Sequence, residues 1–225
     1  MTDSNELLNA SSYRLFLVRH GRTSWNDEGR LMGRIDIGLN DNGRDEAEDA
    51  AAALSQLSLT TVYTSPRCRA SATAQIIAAH QSDCGVTIED RIDETNAARW
   101  AGKRRDELVH DSDFHAFRKN PLHIADGVET TTSVEARIVS FLTEIERKHC
   151  DHENIAIVSH AAPIRIMLAY FLRIPLTHFK RLVTETGSIS VVTYHAGDCQ
   201  LTRLGIKTEA LRLIDSLPNL EPNAL

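Results

Sequence analysis

Two unbroken apolar runs, Leu15-Phe16-Leu17-Val18 and Ile155-Ala156-Ile157-Val158, set the pattern of the chain. Neither alternates apolar with polar, which marks a strand covered on both faces. Both end abruptly in polar residues, the first in Arg19-His20-Gly21 and the second in Ser159-His160-Ala161-Ala162. Helical spacing fills much of the interval. Ala47, Ala50, Ala51 and Leu54 share one face of a helix that Asn40 or Asp41 can cap, after an irregular loop over residues 29–40. Thr61-Val62-Tyr63-Thr64 reads as a strand, and Ser65 and Pro66 suit the cap and first position of a helix buried through Ala70, Ala74, Ile77 and Ala78. Val86-Thr87-Ile88 and Arg91-Ile92 read as extended, before a polar loop from Asp93 to Trp100. Val134, Ile138, Phe141, Leu142 and Ile145 form the stripe of a long helix starting at Thr132 or Ser133. Pro163 suits the first turn of another, through Ile164, Met167, Leu168 and Phe171. Ser188 to Tyr194 and Gln200 to Leu204 are strand-like and can pair through a turn at Gly197-Asp198.

Strands alternating with helices predict an α/β fold with helices on both faces of a mostly parallel sheet. In such folds ligands bind beyond the carboxyl ends of the strands. At 225 residues the chain is long enough for one sizeable core. The expected division is a loose arm over 1–12, one domain over 13–210 and a tail over 211–225. Within the domain, residues 95–130 have no clean period and are expected to supply helical pieces that cap the sheet.

The formal net charge of -6 argues against non-specific nucleic-acid binding, which needs a basic surface. Cys68, Cys84, Cys150 and Cys199 are scattered without a Cys-x-x-Cys pair, so neither a zinc site nor a disulfide scaffold is indicated. His110, His115, His123, His149, His152, His178 and His195 show no metal-ligand spacing. With no basic-then-apolar leader and no run approaching a membrane span, a cytoplasmic protein is expected, monomeric or homodimeric, with no membrane partner. There is no Gly-x-Ser-x-Gly elbow and no phosphate-binding glycine loop.

The remaining candidates for chemistry are Arg19, His20, Arg69, Glu94 and His160, each at or near a strand end. Gly21 removes a side chain beside His20, where backbone can approach a ligand. Arg67 and Arg69 fall in a first helical turn, where cations are disfavoured unless an anion is bound.

In order, Leu17-Val18-Arg19-His20-Gly21-x-Thr23-x-x-Asn26, Gly33-Arg34-x-Asp36-x-x-Leu39, Thr64-Ser65-Pro66-x-x-Arg69-Ala70-x-x-Thr73-Ala74, Glu94, Gly127-x-Glu129-Thr130 and Val158-Ser159-His160 resemble the histidine phosphatase superfamily. The resemblance covers residues 13–195. More narrowly, the chain is similar to the branch holding cofactor-dependent phosphoglycerate mutases and fructose-2,6-bisphosphatase. It implies a three-layer α/β/α sandwich in which His20 attacks phosphorus and becomes a phosphohistidine. Arg19, Arg69 and His160 would hold the phosphoryl oxygens, and Glu94 would act as acid and then base. Gly21, Thr23, Asn26 and Ala161 match positions around the phosphate, with no metal and no cofactor required. Where relatives often place a second carboxylate after the acid, Ala101 stands here; Ala161-Ala162 replaces two glycines, and Gly38 and Glu46 replace proline and glutamine. The expected activity is hydrolysis of a small phosphorylated metabolite. Mutase activity is the alternative, and a silent phospho-ligand binding module the second.

Overall fold

The computed structural model describes residues 12–149, 153–195 and 198–207. Residues 1–11 of the proposed arm, the proposed tail and Gly197 of the proposed turn fall outside these residues, while Ser12, placed at the end of the arm, belongs to the first strand. In chain order the elements are β1 (Ser12–Arg19), α1 (Ser24–Asp27), α2 (Asp41–Leu54), β2 (Leu59–Thr64), α3 (Cys68–Ala79), β3 (Gly85–Ile88), α4 (Ser112–Lys119), α5 (Thr131–Lys148), β4 (Glu153–Ser159), α6 (Ala161–Phe171), β5 (Ile189–His195) and β6 (Asp198–Ile206). The six strands form one sheet in the order β3-β2-β4-β1-β5-β6. β3, β2, β4 and β1 run parallel, while β5 lies antiparallel to β1 and β6 antiparallel to β5.

Each apolar run supplies both faces of the sheet. Leu15, Leu17, Ile155 and Ile157 pack with Ile138, Phe141 and Leu142 of α5 and Ile164 and Met167 of α6. Their neighbours Phe16, Val18, Ala156 and Val158 turn the other way, against Ala50, Ala51 and Leu54 of α2 and Ala70, Ala74 and Ile77 of α3. Alternate residues thus bury in opposite directions, and the result is the three-layer sandwich. The five-residue stripe of α5 is 1% exposed or less throughout, and each such side chain contributes about 1.5–3 kcal/mol on burial. Among the described residues no helix is long and apolar enough to cross a membrane.

Three local expectations need correcting. The helix after β2 starts at Cys68, with Arg67 as its N-cap and no cap from its own side chain. Asp36 does the capping from a distant loop, its Oδ1 accepting from the Cys68 amide at 2.7 Å, which frees Ser65 for the site. Arg91-Ile92 is not extended but lies in a 3₁₀ turn, Asp90–Ile92, capped by Glu89. The long helix begins at Thr131, because the Thr130 hydroxyl accepts from the Ser133 amide.

The cap over residues 95–130 has a small core of its own: Trp100, Leu108, Phe114 and Ala125. Trp100 is buried against Phe114, and its indole N–H donates to Asp111 at 3.0 Å.

Candidate active site

β1 and β4 lie side by side in parallel register, Leu17 opposite Ile157 and Arg19 opposite Ser159. The residues that follow, His20 and His160, therefore leave the sheet at the same level. Their ring centroids are 5.1 Å apart, and both side chains are buried. His20 Nδ1 lies 2.7 Å from the Gly21 carbonyl oxygen. A carbonyl only accepts, so Nδ1 carries the proton and donates, and Nε2 keeps its lone pair. Burial, with Arg69 and Arg19 close by, pushes the imidazole well below its ordinary 6.5, so His20 stays neutral.

Gly21 serves this arrangement with its backbone. Its amide donates to Thr73 Oγ1 at 3.1 Å, and the space a side chain would fill is taken by Gly43 of α2, whose carbonyl oxygen lies 2.1 Å from where a Cβ would be. That close backbone approach, rather than an approach to a ligand, is what the missing side chain permits here.

Two arginines flank the histidines, each held by carbonyls that leave part of the fork unused. Arg69 donates from Nη1 to Ile35 and from Nη2 to Gly33, both at 2.9 Å, while its buried Nε has no partner. Gly33 has φ +51°, the left-handed region, and a Cβ there would meet Ala97 at 2.9 Å, so this carbonyl is presented by a backbone that only glycine suits. Arg19 donates from Nη1 to the Thr184 carbonyl at 2.9 Å, and its Nε is likewise buried and unpartnered. Burial brings Arg19 down to about 10, so it remains a cation at neutral pH.

His160 is the N-cap residue of α6, with no side-chain cap bond, so the positive end of the helix faces the site through the first turn at Ala161. Its Nε2 lies 2.7 Å from Ser65 Oγ, and its Nδ1 is buried without a partner. Ser65 in turn donates to Asp93 Oδ1 at 3.1 Å. Asp93 was not singled out in the sequence, yet it also accepts from Arg67 Nε at 3.0 Å and from the Glu94 amide at 2.8 Å, and pairs with Arg34 at 3.3 Å.

Glu94 Oε1 accepts from the Thr95 amide at 2.9 Å. Burial raises its carboxyl pKa, against the opposing pull of Arg69, the Thr95 amide, Arg19 and Arg137. Its backbone is clamped: the carbonyl accepts from Arg34 at 3.0 Å and Arg137 at 3.4 Å, and both arginines pair with Glu129. Thr23 and Asn26 form a reciprocal capping box at α1, Thr23 buried and Asn26 partly exposed. Glu46 accepts from the Arg22 amide at 2.9 Å, tying α2 to the loop after His20. Of the sequence candidates, Arg19, His20, Arg69, Glu94 and His160 are thus brought together. Arg67 turns to Asp93. Ser65, Asp93, Arg137 and Thr73 are the residues that sequence reasoning missed as site members; Ser65 and Thr73 stood in the motif quoted for the family resemblance without being given a role, and Ser65 was read as a cap.

Two buried imidazoles, two partly unsatisfied guanidinium groups and a carboxyl of raised pKa gather at the carboxyl ends of parallel strands, a set of groups chemically suited to a phosphoryl group. Residues 15–207 match the model of the histidine phosphatase superfamily (branch 1), and the chain belongs to that family. It is 32% identical over 182 residues, 80% of this chain and 85% of the other, to phosphoserine phosphatase 1 of Hydrogenobacter thermophilus. It is 34% identical over 156 residues, 67% of each chain, to phosphoglycerate mutase-like protein 4 of Arabidopsis thaliana. A solved phosphoserine phosphatase mutant of Entamoeba histolytica in complex with phosphoserine superposes with a TM-score of 0.74 at 25% identity, over 86% of this chain and 96% of that one.

Proposed function

We propose that the protein hydrolyses a phosphomonoester of a small metabolite by two successive displacements at phosphorus. His20 Nε2 attacks the phosphoryl group, the bond to the ester oxygen breaks, and Glu94 gives its proton to the departing alkoxide. Glu94, now a carboxylate, takes a proton from water as that water attacks phospho-His20, and orthophosphate leaves. Arg19, Arg69 and His160 hold the three non-bridging oxygens, supplying the charge that a phosphoryl transition state requires. The reaction in this form needs no metal. Thr23 and Asn26 shape the loop beside the phosphate, Gly21 holds the nucleophile's tautomer, and the first turn of α6 at Ala161 points its dipole inward.

The observation that carries this reading is the bond from His20 Nδ1 to Gly21, which leaves Nε2 as a neutral nucleophile among cations. The names of the relatives, phosphoserine phosphatase and acid phosphatase among them, favour hydrolysis of small phosphate esters. For hydrolysis over mutase chemistry, the cap is short. Between Glu94 and Thr130 it holds one α-helix of 8 residues, α4, which leaves water a route to the intermediate. The test is phosphate release from a panel of sugar phosphates, phospho-amino acids and phosphoglycerates, alongside interconversion of the phosphoglycerates. Release from at least one ester with little interconversion is expected, and efficient interconversion without release would overturn it.

A further inference from the structure

Of the three methionines, Met1 lies outside the described residues, Met167 is buried on α6, and Met32 is partly exposed in the loop between α1 and α2. The Met32 thioether has a specific partner. Its Sδ lies 3.4 Å from Thr23 Oγ1, and the same hydroxyl lies 3.0 Å from Asn26 Oδ1. A hydroxyl has one proton and a thioether is a weak acceptor, so Asn26 takes the larger share of that proton and the capping box of α1 stays closed. Thr23 is fully buried, three residues after His20.

The backbone of Met32 opens the turn that grips Arg69. Its carbonyl accepts from the Ile35 amide at 3.0 Å, closing Met32-Gly33-Arg34-Ile35 into a four-residue turn. The two carbonyls that hold the Arg69 guanidinium, those of Gly33 and Ile35, both belong to it. The turn has little slack elsewhere. Arg34 pairs with Asp93 and Glu129, its carbonyl accepts from Arg67 at 2.9 Å, and the backbone of Leu31 is bonded to Gly102 and Lys103 of the cap. A change in how the Met32 side chain meets Thr23 is therefore passed to the capping box on one side and to Arg69 on the other.

Resting on the phosphatase reading, we propose that Met32 is an oxidative modification site, at which reaction with a peroxide slows the enzyme. With hydrogen peroxide, a sulfur lone pair attacks one oxygen and the O–O bond breaks. The second oxygen takes the proton of the first and leaves as water. Sulfur is oxidised by two electrons to the sulfoxide, and the peroxide is reduced by two. A polar, chiral group with a strong acceptor oxygen then stands where a weak acceptor stood. An oxygen between sulfur and Thr23 needs about 2.7–2.8 Å to the hydroxyl in addition to its own bond to sulfur, which the present 3.4 Å does not accommodate. The sulfur is pushed outward with the turn, and the Thr23 proton passes from Asn26 to the sulfoxide. Thr23 and the carbonyls on Arg69 are displaced together.

The experiment treats wild type and Met32→Leu with hydrogen peroxide and compares the p-nitrophenyl phosphate turnover of each with its own untreated rate, while peptide mass spectrometry locates the added oxygen. In wild type, oxygen on Met32 should accompany a roughly 2- to 10-fold loss in kcat/KM, the range of one hydrogen bond. Dithiothreitol, which reverses disulfides and sulfenic acids at the cysteines, should not restore the rate. Methionine sulfoxide reductases of both stereospecificities should restore it. Met32→Leu keeps every cysteine and should lose little on treatment. The proposal is overturned if Met32 is oxidised without loss of rate, if Met32 stays unmodified while the rate falls, or if Met32→Leu loses as much as wild type. Should Met32→Leu fail to fold, the reductases decide on wild type, and a loss that they do not reverse overturns it. Absence of turnover in untreated wild type removes the phosphatase reading instead. The affinity for orthovanadate before and after oxidation then tests Met32, and equal affinities overturn its role.

Discussion

His160 donates from Nε2 to Ser65 Oγ across 2.7 Å, and through that hydroxyl it is coupled to the buried carboxylate of Asp93. Ser65 has one proton to give. With that proton directed to Asp93, and with the Arg67 amide also donating to Oγ at 3.3 Å, the oxygen accepts from His160. Nδ1 is then the nitrogen left bare in the site, and it needs a proton of its own to bond a phosphoryl oxygen. Burial, Arg69, His20, Arg19 and Arg67 all oppose that charge, while Asp93 lies 3.9 Å from Nε2 and favours it. Protonation of His160 is therefore expected to accompany binding of the anion.

Ser65→Ala should leave a buried imidazole N–H without a partner, at about 1–3 kcal/mol in stability or in transition-state binding. Nitrogen chemical shifts of His160 distinguish the tautomers. In wild type they should show the Nε2–H form, converting to the doubly protonated form as orthovanadate is added. The same behaviour in Ser65→Ala, with unchanged turnover, would leave the serine without this role.

His20→Ala should abolish turnover while the fold survives, because the ring caps no helix and its neighbour Gly21 keeps its bond to Thr73. Quenching wild type during turnover of a labelled ester should trap an acid-labile, alkali-stable phosphoprotein that the variant lacks. Adding EDTA should leave the wild-type rate unchanged.

The pH dependence follows from two opposite shifts. His20 must be neutral to attack, and its lowered pKa keeps it neutral to pH values below 6.5. Glu94 must be protonated to release the alkoxide, and its raised pKa keeps it an acid above 4.5. The rate of phosphoenzyme formation should thus peak on the acid side of neutrality, falling at low pH with His20 and at higher pH with Glu94. Glu94→Gln should flatten the high-pH limb and slow alkyl esters by roughly 10²–10⁴. Aryl phosphates, whose leaving oxygen scarcely needs a proton, should lose much less. Single-turnover rates on the two ester types decide the matter, and equal losses would assign Glu94 a structural role.

What could be read from the chain was whatever burial writes into a local pattern. Leu15 to Val18 and Ile155 to Val158 are apolar throughout because both faces of the sheet are covered, and the stripe of α5 is periodic because one side meets that sheet. Arg19, His20, Arg69, Glu94 and His160 were recognisable as chemistry placed where elements end. Residues that act across long separations were not. Asp36 caps α3 from 32 positions away, and Asp93 joins Ser65, Arg67 and Arg34 only after three segments have met. The cap around Trp100 has no period because turns and exposed ion pairs, such as Arg99 with Asp113, hold its few apolar residues together.

The placement of His20 depends on a contact between two backbones, and this gives the most distant test of the site. The amide of Asn40 donates to the Arg22 carbonyl at 3.1 Å, and Gly43, within the first turn of α2, lies so close that a Cβ there would sit 1.9 Å from the same oxygen. No flexible side chain is available to yield. Gly43→Ala must therefore push the start of α2 away from the loop Gly21-Arg22, and with it move the carbonyl that fixes the His20 tautomer. Overpacking of this kind costs about 1–3 kcal/mol, expected as a lower melting temperature. kcat/KM should fall by a similar factor on aryl and alkyl phosphates, because the nucleophile is displaced while Glu94 is not. Gly38→Ala provides the comparison, since nothing lies within 4 Å of a Cβ at that position, and it should match wild type in both measurements. If Gly43→Ala matched wild type as well, the backbone contact would not be what holds His20 in place.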